Sequence, residues 1–104
     1  MTKTSLNDKT AQRVADVLKA IAHPERLRII ELLENDEKCV SDIVEGVGGK
    51  QSITSQQLNM MKDKSVLASR REGAKVFYRI ANKNVIRVLH CVYDHCDTEK
   101  EGDD

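Results

Sequence analysis

Lys50–Ile80 reads KQSITSQQLNMMKDKSVLASRREGAKVFYRI, and its period changes part-way along. From Ser52 to about Lys64 the apolar residues fall at helical spacing. Ile53, Leu58 and Met61 form the expected buried face, with Ser55, Gln56, Gln57 and Asn59 outward. From Val66 the period becomes two, so Val66–Glu72 and Lys75–Ile80 are expected strands. Glu72, Gly73 and Ala74 between them make a hairpin tip, where Gly73 is free to take positive φ. A polar helix is thus followed directly by a hairpin that carries Arg70, Arg71, Lys75 and Arg79.

Upstream, a short third helix is expected from Val40 to Val47, with Ser41 as a candidate cap. Gly46, Gly48 and Gly49 place a tight turn between it and the fourth helix. A first helix runs from about Ser5 to Ala22, capped by Ser5 or Asn7, with Ala11, Val14, Val17, Leu18 and Ile21 on its apolar face. Pro24 ends that pattern and suits the first turn of a second helix, which reaches about Glu34. Downstream of the hairpin, Asn82 caps a last helix from about Asn84 to Cys96. Its stripe of Val85, Ile86, Val88, Leu89, Val92 and Tyr93 is too wide for one small domain to cover. The expected fold is mainly helical, with the β-hairpin inserted between the fourth helix and the last. Residues 1–97 form one domain, and 98–104 an acidic, disordered tail.

The chain has 104 residues, with one Phe, two Tyr and no Trp, so its core must be aliphatic. There is no apolar run of membrane-spanning length and no secretion signal in MTKTSLNDKT, which places the protein in the cytoplasm. Three cysteines in a reducing compartment argue against a disulfide framework. There is no phosphate-binding loop and no nucleophile with a positioned base, so an enzyme is not expected.

Formal net charge is zero, but the charges are segregated. Lys50–Arg79 holds seven basic and two acidic residues, a net +5. Glu31–Glu45 holds six acidic and one basic, a net −5, and Asp94–Asp104 repeats that count. The basic segment coincides with the polar helix and the hairpin. A helix that enters a major groove needs hydrogen-bonding side chains for base edges. Lys50, Gln51, Ser52, Thr54, Ser55, Gln56 and Gln57 supply them, and a glutamine can pair with adenine through both ends of its amide. A hairpin beside it needs cations for phosphates, as Arg70, Arg71 and Lys75 provide. This is the order of a winged helix-turn-helix, which implies double-stranded operator DNA as partner. A winged-helix module for protein contacts is the alternative of another class.

Four stretches resemble the ArsR/SmtB family of metal- and thiol-responsive repressors. They are LKAIAHPERLRIIELL (Leu18–Leu33), KCVSDIV (Lys38–Val44), KQSITSQQL (Lys50–Leu58) and VLASRREGAKVFYRI (Val66–Ile80). The resemblance implies a homodimer held by the first and last helices, and an inducer that lowers operator affinity. It also shows departures. The family's CVCDL motif reads CVSDI here, so Cys39 remains and Ser41 replaces the second thiol. Asn82 and Asn84 stand where its zinc site has Asp and His, leaving only His95 in register. Glu31 occupies the position of the persulfide sensors' second-helix cysteine, and Gln57 that of a usual histidine.

The remaining soft ligands are Cys39 and the run His90, Cys91, His95 and Cys96. Thiolates and imidazoles suit As(III), Zn(II) or Cd(II). Cys39 with Cys91 and Cys96 from either subunit would make a trigonal thiolate site. The same thiols leave open a redox or reactive-sulfur response, and each of the five residues also has a purely structural reading.

Overall fold

The computed structural model describes the backbone of residues 7–102 and the side chains of residues 7–94. Ser5 therefore lies outside the described residues. Asn7 caps α1 (Asp8–Ile21), its side chain accepting from the Thr10 amide at 2.8 Å. His23 caps α2 (Pro24–Leu32) by accepting from the Glu25 amide through Nδ1, and Pro24 fills the first turn. A two-residue strand β1 (Lys38–Cys39) leads into α3 (Val40–Val47). Then come α4 (Gln51–Asp63), β2 (Leu67–Glu72), β3 (Lys75–Ile80) and α5 (Asn84–Gly102).

The sheet is antiparallel, in the order β1-β3-β2. Glu72 pairs with Lys75 at the hairpin tip, and Lys38 and Cys39 pair with Tyr78 and Phe77. The third strand, β1, has no sequence signal because two residues show no periodicity. The chain is mainly helical with a small sheet, a winged helix-turn-helix.

The core lies where α2, α3, α4 and the sheet meet. Ile29, Ile30, Leu33, Ile43, Leu58, Met61, Val66 and Leu67 are almost wholly buried in it. Gly48 ends α3 in the left-handed region, φ 70°, which a glycine adopts without steric cost. Ser65 adopts the same region, φ 64°, at the turn into β2.

Four expectations are corrected. α2 stops at Leu32, so that Leu33 caps it and drops into the core. Cys39, not Ser41, occupies the N-cap of α3, without a side-chain cap bond. α5 continues to Gly102, where a disordered tail was expected from 98, because no helix breaker stands between Asn84 and Glu101. On α4 the phase is shifted: Thr54 is fully buried, and Ile53 is 45% exposed. Thr54, Leu58 and Met61 stand at i, i+4 and i+7, a single stripe, whereas Ile53 sits about 100° around the helix from Thr54.

Among the described residues no helix is long and apolar enough to cross a membrane. Ile43, 0% exposed, is the contribution of α3 to the buried cluster. Ile43→Ala is expected to destabilise the fold by about 2–5 kcal/mol, measured by urea denaturation. A loss below about 1 kcal/mol would show that the site collapses to fill the gap.

Candidate nucleic-acid interface

The first turn of α4 is tied to α2. The Thr54 hydroxyl donates to Glu25 Oε2 at 3.1 Å. A Cβ on Gly49 would lie 2.7 Å from that carboxylate oxygen and 3.1 Å from the hydroxyl. A bare glycine at the turn therefore makes room for the pair. One turn on, Arg26 Nε donates to Gln57 Oε1, and its Nη1 donates to the Lys19 carbonyl at the end of α1, 3.2 Å away. Tyr78 OH donates to Asn59 Oδ1 at 3.2 Å and links α4 to β3. Burial, and then the negative charge of Asp63, push the Tyr78 hydroxyl pKa up, so it stays a donor.

With one stripe of α4 anchored, the other faces out. Lys50, Gln51, Ser52, Ile53 and Gln56 are exposed, and Ser55 and Gln57 are half-buried. Thr54, expected among the base-reading residues, points into the core and does not belong to this face. Gln57 keeps only part of its expected chemistry, because its oxygen is already taken by Arg26. Ile53, expected in the core, adds an apolar side chain to the outer surface.

The hairpin divides its cations. Arg71 and Lys75 are exposed. Arg70 is engaged within the fold: it pairs with Glu37 at 2.8 Å and Glu72 at 3.0 Å, and its guanidinium carbon lies 4.6 Å from the centre of the Phe77 ring. The hydrogen bond from Arg70 holds the Glu37 carboxyl below its ordinary value. Two carboxylates thus offset the charge expected to be free for phosphates. Sequence reasoning missed this pairing because Arg70 and Glu37 are 33 residues apart. A cleft of about 340 Å³ separates Gln51 and Ser55 of α4 from Ala74 and Lys75 of the hairpin, so helix and wing present one continuous surface.

The soft ligands whose side chains are described do not converge. Cys39 is buried, lines the same cleft, and has its Sγ 3.3 Å from Ser41 Oγ. Cys91 is exposed on α5. His90 Nε2 meets Glu34 Oε2 at 2.7 Å, joining α5 to the end of α2. The side chains of His95 and Cys96 lie outside the described residues. Among the described residues no three His, Cys, Asp or Glu side chains lie together as metal ligands.

An apolar surface remains on two other helices. Val14 and Leu18 of α1 and Val88, Val92 and Tyr93 of α5 are all exposed. Val14, Val17, Leu18, Ile21, Val85 and Val88 line a groove of about 400 Å³ between the two helices.

The model of bacterial regulatory proteins of the arsR family matches residues 23–65, from the cap of α2 through α4. A transcriptional repressor SmtB homolog from Synechocystis sp. is 33% identical over 85 residues, which cover 82% of this chain and 64% of that protein. The chain therefore spans under two thirds of that relative's length. Among solved structures, the homodimeric winged helix-turn-helix DNA-binding domain of Mb0332 from Mycobacterium bovis superposes with a TM-score of 0.79. It is 32% identical, covering 96% of this chain and 95% of that one. The chain belongs to the ArsR family. The antimony-specific transcriptional repressor AntR is also similar, at TM-score 0.85 and 26% identity over 97% of this chain and 92% of that one. The ArsR fold and family are those of DNA-binding transcriptional regulators, not of enzymes.

The His90–Glu34 contact between α5 and the end of α2 in this ArsR chain is expected to respond to pH. The hydrogen bond to Glu34, and then its charge, raise His90 above its ordinary 6.5. Glu31 and Asp94 add weaker attraction. The imidazolium is therefore favoured in the folded state. The contribution is full below about pH 6.5 and is lost as the pH rises through the raised value. Between pH about 6 and about 8, the wild type is expected to lose more stability than Glu34→Gln, as read by denaturant titration. Parallel stability curves would remove the pair from the account.

Proposed function

We propose that the chain is a cytoplasmic, homodimeric transcriptional repressor that grips operator DNA with α4 and the β2–β3 hairpin. The observation that carries this reading is the continuous outward surface from Lys50, Gln51 and Ser52 to Lys75 and Arg71. On this reading Gln51, Ser52, Ser55, Gln56 and Gln57 face base edges in the major groove, and Lys50, Arg71 and Lys75 meet phosphates. Arg70 serves the wing mainly as its internal brace to Glu37. Ile53 offers an apolar contact suited to a thymine methyl.

The dimer forms through α1 and α5. Its support is the uncovered apolar groove between them and the homodimeric state of the Mycobacterium bovis domain. A twofold axis there sets two α4 helices toward successive major grooves, about 34 Å apart. An inducer then acts by favouring a dimer geometry whose helices no longer match that spacing. It shifts the equilibrium only as far as its affinities for the two geometries differ.

The inducer we assign is a soft metal or metalloid, As(III), Zn(II) or Cd(II), held at Cys91 with His95 and Cys96. The likeness to an antimony-specific repressor favours it, as do the exposure of Cys91 and the four-residue spacing to His95. We leave Cys39 out of this set because it is buried in the cleft beside α4. Oxidation of the exposed Cys91 is the second reading.

Fluorescence anisotropy with duplexes enriched from a randomised library tests the DNA reading. Arg71→Ala is expected to weaken binding on every duplex and to lower the salt slope by about one. Leu18→Glu is expected to give a monomer by sedimentation and to lose most of the DNA affinity. A wild type with no salt-sensitive DNA binding would leave a protein-interaction module instead.

Titrating the DNA complex of the reduced protein with As(III), Cd(II) and Zn(II) tests the inducer. Release is expected in the wild type and not in Cys91→Ser. Release by peroxide alone would favour the redox reading.

A further inference from the structure

Arg26 determines which end of the Gln57 amide is free. A guanidinium carries only donors, so the atom of Gln57 it holds must be the carbonyl oxygen. The usual ambiguity between the two ends of a glutamine amide does not arise here. Among the described residues, the Gln57 amide nitrogen has no protein acceptor, and no buried side-chain nitrogen or oxygen lacks a partner. The nitrogen is therefore open to solvent. Arg26 is itself braced by the Lys19 carbonyl, so it bridges the end of α1 to the recognition helix.

We propose that Gln57 reads DNA as a donor alone, and that Arg26 is the positioning residue that makes it so. This rests on the reading that α4 lies in the major groove. An unrestrained glutamine suits adenine, accepting from N6 and donating to N7. The oxygen keeps a second lone pair, but its hydrogen bond to Arg26 fixes it toward α2, so the amide nitrogen is the end that Gln57 extends. Guanine offers two acceptors, N7 and O6, whereas adenine offers N7 beside an N6 donor, thymine O4 alone, and cytosine only a donor. The base pair under Gln57 is therefore selected for guanine over adenine. Specificity at that position is set by a residue on α2 that need not touch the DNA.

Enrichment of a randomised duplex library by the full-length dimer, read by sequencing, tests this. The wild type is expected to enrich guanine at one position of each half-site. Arg26→Ala frees the oxygen and is expected to shift the guanine-to-adenine ratio there about tenfold toward adenine. A merely structural arginine would lower affinity without moving that ratio.

Gln57→Met removes the reader, and in that background Arg26→Ala is expected to leave the ratio unchanged. Gln57→Glu keeps an acceptor for Arg26 and a well-held α4, but loses the donors. It is expected to replace the guanine preference with cytosine, a result that does not depend on how well Arg26→Ala folds. The proposal is overturned if Arg26→Ala enriches the same base as the wild type, or if the wild type already prefers adenine. A wild type that enriches no sequence at all overturns the operator reading itself.

Discussion

A single buried stripe on α4 governs the rest of the molecule. Thr54, Leu58 and Met61 enter the core, and their spacing leaves no freedom in the helix's rotation. Two of the three are apolar and bury by transfer from water. Thr54 needs a hydrogen-bond partner to be buried, and finds it in Glu25. That pair forms where Gly49 has no side chain, so a turn residue, a helix N-terminus and a core hydroxyl depend on one another. What the outer stripe of α4 presents to solvent is the complement of this arrangement.

Charge follows a similar division of labour. The chain is neutral as a whole, so attraction to phosphate depends on where its cations remain uncompensated. Arg71 and Lys75 stand out on the hairpin, whereas Arg70 turns back to Glu37 and Glu72 and lies over Phe77. The pairing binds the wing to the segment just before β1. It commits one of the hairpin's four cations to the fold.

The first and last helices carry apolar surface that the described residues leave uncovered. Apolar residues of α1 and α5 border a groove that nothing among the described residues fills. Arg26 and the His90–Glu34 contact connect α2 to α1, α4 and α5 through polar contacts. A displacement of α5 therefore has a physical route to α4. Cys91 stands on the outer surface of α5, and Cys39 lies in the cleft beside α4.

The order of the elements was legible in the residues alone. Proline, glycine and the switch from a helical to a two-residue period are local signals, and a local signal survives without a partner. The polar character of α4 and the basic hairpin were legible for the same reason. Other features required the folded chain. β1 is two residues long and exists only because β3 pairs with it. Ile53 and Thr54 are adjacent and both β-branched, so only packing decided which one went inside. Arg70 met Glu37 and Arg26 met Gln57 across separations of more than thirty residues. Composition sets which groups a chain carries, but whether a charge or an amide is free for a ligand depends on the neighbour that tertiary packing brings to it.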